Sequence, residues 1–76
     1  MVDYQMEKTL GKCFRTTTGT YTGIVRVYGS WYDYKVVAGI PDVGVMLEVV
    51  AYDANQLLVQ VNNYLMESDV NYIGNF

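Results

Sequence analysis

Alternating side chains from Gly23 to Ile40 constrain the fold of this chain more than any other feature of the sequence. β-Branched and aromatic residues fill this stretch, and Gly29-Ser30 lies near its middle as the two-residue loop of a hairpin. Glycine accepts the positive φ that the first central position of such a turn requires. The pattern therefore predicts two antiparallel strands, over residues 20–28 and 31–40.

In this register the hairpin side chains sort onto two faces, because successive residues of a strand point to opposite sides of a sheet. Tyr28 is predicted opposite Trp31 and Arg26 opposite Asp33, which pairs two aromatic rings and two opposite charges. The face expected to line the core carries Tyr21, Val25, Val27, Tyr32, Tyr34, Val36 and Ala38. The outer face carries Ile24, Arg26, Tyr28, Trp31, Asp33 and Lys35.

A third strand is predicted after the turn signal of Pro41-Asp42 and Gly44, over residues 45–52. Both of its sides are apolar apart from Glu48. A strand of this kind is usually central in a sheet, or another chain covers its outer face.

Residues 53–67 have the pattern of an amphipathic helix. Asp53 and Gln56 have the spacing of a capping box, which indicates the helix start. The apolar stripe carries Ala54, Leu57, Leu58, Val61, Tyr64 and Leu65. The predicted fold is α+β: a three-stranded antiparallel meander with this C-terminal helix packed on one face, as a single domain over residues 1–76.

Both ends of the chain leave alternatives open. Residues 3–13 fit a helix or a short irregular arm, and a strand over residues 12–15 is the further alternative. Residues 70–76 fit a short last strand at a sheet edge, or a tail that docks through apolar side chains. With a helix at the start, the order α-β-β-β-α resembles the topology of double-stranded RNA-binding domains. The second helix of that family begins with a lysine-rich motif, whereas residues 53–67 contain no Lys or Arg, so the resemblance implies no function.

The sequence shows no pattern for catalysis, cofactor binding or metal binding. Histidine is absent, a single cysteine cannot form a zinc-ligand cluster, and the carboxylates have no spacing typical of an acid–base pair. We therefore expect neither an enzyme nor a bound cofactor or metal. Cys13 is the one cysteine and is expected to be a free, buried thiol. No signal peptide or membrane span is evident, so the expected location is the cytoplasm.

The aromatic content is the unusual part of the composition. Eight Tyr, one Trp and two Phe in 76 residues exceed what a small core can hold. Trp, Tyr and Arg are enriched in protein interfaces and in their binding hot spots. The residues expected to bind a partner are Arg26, Tyr28, Trp31, Asp33 and Lys35 on the hairpin, and Met46, Glu48, Val50 and Tyr52 on the outer side of the third strand.

The sequence therefore predicts a non-enzymatic protein–protein interaction module that forms a homodimer and binds another protein. Its small size and lack of catalytic motifs fit a regulator, inhibitor or accessory protein of the kind that phages and mobile elements encode. The alternative is single-stranded nucleic-acid binding, in which bases stack on the aromatic sheet face. The net charge of −3 weighs against this alternative, and so does Asp33 beside Arg26.

Overall fold

A computed structural model describes residues 7–27, 29–53 and 56–73 of the chain. Five strands in this part form one sheet: β1 (Cys13–Arg15), β2 (Thr22–Val27), β3 (Ser30–Ala38), β4 (Met46–Tyr52) and β5 (Gln56–Val61). The order across the sheet is β1-β4-β5-β3-β2. Neighbouring strands are antiparallel except β3 and β5, which run parallel, so the sheet is mixed.

The predicted α+β fold is wrong, because the stretch expected to form the C-terminal helix contains β5, the central strand. Leu57 and Val59 are fully buried, so side chains alternate inward with a period of two instead of following a helical stripe. β5 pairs with β3 on one side and β4 on the other, and this tertiary pairing outweighs the helical pattern. The Asp53–Gln56 pair closes the β4–β5 connection: the Asp53 N–H donates to the Gln56 carbonyl at 2.9 Å.

The hairpin of β2 and β3 is present, but its register differs from the predicted one by two residues. Arg26 pairs with Trp31, and Ile24 pairs with Asp33. The predicted pair of Arg26 with Asp33 is wrong, and so is the pair of Tyr28 with Trp31. Tyr28 itself lies outside the described residues.

The position of glycine in the turn explains the different register. Gly29 has a φ of 81° and directly precedes Ser30, which already pairs with Val27. Glycine thus takes the last position of the loop, where a primed turn also accepts a positive φ. The prediction had placed it one position earlier.

A shift of two residues leaves every side chain on its predicted face. Five of the seven residues expected in the core are buried or packed against it: Val25, Val27, Tyr34, Val36 and Tyr32. The other two are exposed and correct the prediction. Tyr21 precedes β2 in a loop, and Ala38 follows an irregularity in the pairing of β3 with β5.

The two termini favour the strand alternatives. β1 occupies Cys13–Arg15 after a turn over residues 9–11, and only Glu7 and Lys8 of the possible helix at residues 3–13 are helical among the described residues. Residues 3–6 lie outside the described part. Tyr72 forms an isolated parallel bridge with Cys13, as a short terminal strand at a sheet edge does. Residues 62–71 between β5 and this bridge form successive turns.

The sheet curls into a half-barrel around its apolar face. Phe14 on β1 contacts Tyr34 on β3 edge-to-face with ring centroids 5.3 Å apart, although two strands lie between β1 and β3. The hydroxyl groups of Thr16 and Tyr34 are 3.3 Å apart. Gly23 leaves room for this ring, since a Cβ there would lie 2.7 Å from the Tyr34 hydroxyl oxygen.

Candidate functional site

The outer side of β2 and β3 is an open surface, and we call it the hairpin face. It carries Ile24, Arg26, Trp31, Asp33, Lys35 and Val37, all of them exposed. Its three large apolar members are each exposed by more than half, at 59% for Ile24, 57% for Trp31 and 51% for Val37. These residues lie on paired strands, so the backbone fixes their relative positions.

Charge and apolar surface alternate across the hairpin face. Trp31 lies directly beside Arg26, and Asp33 lies beside Ile24. Along β3, the acidic Asp33 separates Trp31 from Lys35 on the same side of the strand. No ion pair joins these three charged side chains within the described part of the chain. The face therefore offers an exposed indole with one acidic and two basic groups near it.

The outer side of β1 and β4 is covered, in contrast to the hairpin face. Cys13 is fully buried and Met46 is 1% exposed, although both are on the side away from the core cluster. The chain after β5 lies beside them. The Asn62 N–H donates to the Met46 carbonyl at 2.9 Å, and Arg15 Nε donates to Glu67 Oε1 at 2.9 Å. This segment hides the surface that Met46 was expected to offer.

The four predicted partner-binding residues of the third strand do not join the hairpin face as one surface. Met46 is buried, and Glu48 accepts a hydrogen bond from Gln60 Nε2 at 2.9 Å. Tyr52 packs against the core cluster, so its predicted outer position is wrong. Val50 is 43% exposed at an irregularity between Val49 and Ala51. Their binding role stays a prediction, and the geometry favours only Val50.

Two residues of the hairpin face were missing from the predicted set of partner-binding residues. Ile24 was assigned to the outer face but not to the binding set, and Val37 was in neither. The period of two along β3, from Trp31 through Asp33 and Lys35, was the signal that points to Val37.

Cys13 is a buried free thiol, as predicted. Burial raises the pKa of the Cys13 thiol above its ordinary value, and the carboxylates of Asp69 and Glu48 raise it further, whereas Lys12 lowers it. A thiol kept protonated in this way is a poor nucleophile, because thiolate is the reactive form. Cys13 thus has a packing role.

A second group of exposed apolar side chains lies in the loops at one end of the sheet. The C-terminal ends of β1, β3 and β5 meet the N-terminal ends of β2 and β4 there. Its members are Tyr21, Ile40, Val43, Tyr64 and Met66. Tyr64, predicted to lie on the core side of a helix, is 96% exposed, so that prediction is wrong. These side chains belong to three separate loops and lack the fixed spacing of the hairpin face.

Residues 7–27, 29–53 and 56–73 contain no group of three or more His, Cys, Asp or Glu side chains placed to hold a metal ion. No helix in this part of the chain has the length and apolar character needed to cross a membrane. Comparison with models of protein families, with curated proteins and with solved structures finds no match. Nothing in these findings supports the expected role as a regulator or inhibitor, or a phage origin.

Proposed function

We propose that this chain is a non-enzymatic interaction module that binds a protein partner through the hairpin face. The observation that carries the proposal is the contrast within one side of the sheet. Cys13 and Met46 are buried where the turn that contains Thr9 and the segment after β5 lie, whereas Ile24, Trp31 and Val37 are open to solvent. Large apolar side chains clustered on a rigid surface are typical of interaction sites.

The chemistry of the face fits a protein better than it fits a nucleic acid. Tryptophan and arginine are the residues most enriched in binding hot spots, and here Trp31 and Arg26 are cross-strand neighbours. A single-stranded nucleic acid needs a continuous basic path along its phosphates. Asp33 interrupts that path between Trp31 and Lys35, whereas a protein surface with charges of both signs can pair with all three groups.

The face also keeps the entropic cost of binding low. Its residues lie within β-strands, and the two strands are bonded to each other over six residue pairs. Side chains on a rigid backbone lose less conformational freedom on binding than side chains on loops do. A cytoplasmic location is part of the proposal, because a reducing compartment keeps the single thiol free.

Site-specific photo-crosslinking tests the proposal. We would replace Lys35 or Val37 with a photoreactive benzophenone amino acid and irradiate the variants in extract from the source cells. Tyr64 is the matched control position, because it is exposed and lies in one of the loops at the end of the sheet. We expect one adduct of defined mass from the two face positions and none from Tyr64, and we expect Trp31→Ser to abolish it.

Two results would contradict the proposal. Equal adducts from all three positions would show nonspecific contact, and no adduct from the face would show that it is not a docking surface. A parallel titration with fluorescent single-stranded oligonucleotide covers the alternative function. Binding that needs Trp31 and weakens steeply with salt would replace the protein partner with a nucleic acid.

A further inference from the structure

The two edges of the sheet differ in whether their main chain is already bonded. At the β1 edge, the Cys13 N–H donates to the Asn71 carbonyl at 3.0 Å, and the Ile73 N–H donates to the Cys13 carbonyl at 2.8 Å. At the other edge, β2 pairs with β3 on one side, and within the described residues no strand pairs with its other side. An open edge of six residues is a template for a further strand.

The register identifies the main-chain groups that point away from the sheet. The Val36 N–H donates to the Tyr21 carbonyl at 2.7 Å, so this pair is a hydrogen-bonded one. Hydrogen-bonded and non-hydrogen-bonded pairs alternate along an antiparallel ladder. The N–H and C=O groups of Thr22, Ile24 and Arg26 are therefore directed outward. The Thr20 hydroxyl already donates to the Thr22 carbonyl at 2.7 Å.

We propose that β2 binds β2 of a second copy of this chain, antiparallel, about a two-fold axis at Ile24, so that two five-stranded sheets become one of ten strands. About six main-chain hydrogen bonds can form, because each of three residue pairs exchanges two. This pairing is distinct from binding through the hairpin face, since it uses the main chain of β2 and requires none of the side chains of β3.

Side-chain complementarity selects a second copy and this axis. Arg26 is the only charged residue of β2. With the axis at Ile24, each Arg26 lies opposite Thr22 of the second copy, and the two arginines stay roughly 15 Å apart along the joined strands. The 59% exposed Ile24 then packs against its own symmetry mate.

Disulfide formation between engineered cysteines tests the pairing and its register together. Residues at the axis have Cα atoms about 5.5 Å apart, within the range that a disulfide spans, which ends near 7 Å. We expect Ile24→Cys to form a covalent dimer under mild oxidation. Arg26→Cys is the matched control, and we expect it to form no disulfide, because the two residues at this position stay too far apart in the paired strands. The buried Cys13 is present in both variants, and the wild type serves as its control.

Amide hydrogen exchange on the unmodified chain gives an independent readout. In the paired form the outward N–H groups of Thr22, Ile24 and Arg26 are protected, and dilution removes this protection. Those of Val25 and Val27, which point toward β3, stay protected at all concentrations. Cross-linking of both cysteine variants, or of neither, would overturn the proposal, and so would exchange that does not depend on concentration.

Disulfide formation between β2 strands and photo-crosslinking from the hairpin face can succeed or fail independently of each other. Trp31→Ser is expected to abolish the adduct at Lys35 and Val37 and to leave Ile24→Cys cross-linking intact. A monomeric chain that still gives the face adduct overturns the edge pairing alone. A cross-linked dimer without any face adduct overturns the proposed function alone.

Discussion

The outer surface of the sheet has two halves that the chain treats differently. Over β1 and β4, the turn that contains Thr9 and the segment after β5 leave Thr9 and Cys13 fully buried and Met46 1% exposed. Over β2 and β3, residues of similar size remain in solvent. The covered half contains the shortest strand, only three residues long, and the open half contains the longest, with nine.

The two halves are stabilised in different ways. A three-residue strand has a short ladder, so β1 relies on neighbours on its face and at its edge. The hairpin has six residue pairs and a buried inner face, and it is held without a cover on its outer side. We therefore expect the open surface to be dispensable for folding. Variants on the inner and on the outer side of the sheet test this difference in stabilisation.

The largest effect is expected from Phe14→Ala on the inner side. Phe14 is 1% exposed, and its ring joins β1 to Tyr34 across the curl. Its removal should lower the free energy of unfolding by about 3–5 kcal/mol, from lost burial and the cavity left behind. Trp31→Ala, on the open half, should change it by less than about 0.5 kcal/mol.

Urea denaturation followed by far-ultraviolet circular dichroism measures both variants. Dilute samples avoid any contribution from self-association. Added sulfate keeps the Phe14 variant folded enough for a baseline. Equal losses of unfolding free energy in the two variants would show that Trp31 contributes to the core as Phe14 does, and that the hairpin face is not dispensable for folding.

A smaller loss is expected from Gly23→Ala, where β2 passes beneath Tyr34. The new Cβ would lie 2.7–2.9 Å from three atoms of the Tyr34 side chain, so the ring or the strand must move. Overpacking of this kind costs about 1–3 kcal/mol. Gly19→Ala is the matched control, since the nearest atom to a Cβ there is 3.7 Å away.

The same denaturation experiment reads both glycine variants. We expect Gly19→Ala to be neutral or slightly stabilising, because alanine reduces the freedom of the unfolded chain. If Gly23→Ala leaves the free energy of unfolding equally unchanged, the packing of the Tyr34 ring over Gly23 is not required for the curl of the sheet.

The faces of the hairpin were predictable because a period of two is a local property of the sequence. Val25, Val27, Tyr34 and Val36 are buried as the alternation indicates. The register was not predictable to better than two residues. Both registers bury the same side chains, and a primed turn accepts glycine at either central position, so neither the core nor the turn distinguishes them.

The missing helix shows where local patterns fail. Leu57, Leu58 and Val61 fit a helical stripe, while Leu57, Val59 and Val61 fit a strand. Only the partners decide between them, and β5 lies between β3 and β4. The parallel pairing of β3 with β5 joins segments separated by all of β4, and no local signal records it. The burial of Met46 under the segment after β5 is non-local in the same way.

A third prediction concerns the ion pair that holds the segment after β5 to β1. Arg15 and Glu67 keep 42% and 60% of their side-chain surface exposed, so solvent screens the pair. Glu67→Gln should lower the free energy of unfolding by about 0.2–1 kcal/mol, and salt should diminish the loss. Asp33→Asn on the open half is the control and should have no measurable effect. A larger effect at Asp33 would reveal a structural role for the hairpin face.

The smallest expected effect is a pH dependence of the free energy of unfolding caused by the thiol of Cys13, in the covered half. It is absent at neutral pH. Burial raises the pKa of this thiol above its ordinary 9.0, so the folded chain keeps the proton that the unfolded chain releases. The associated stability is complete below the unfolded pKa and is lost as pH rises through the folded one.

In urea titrations from neutral to alkaline pH, with reductant present, the wild type should lose stability more steeply above pH 9.0 than Cys13→Ala does. The difference between the two curves cancels every other titrating group. Parallel curves would mean that the thiol reaches solvent, and that the cover over β1 is looser than its buried side chains indicate.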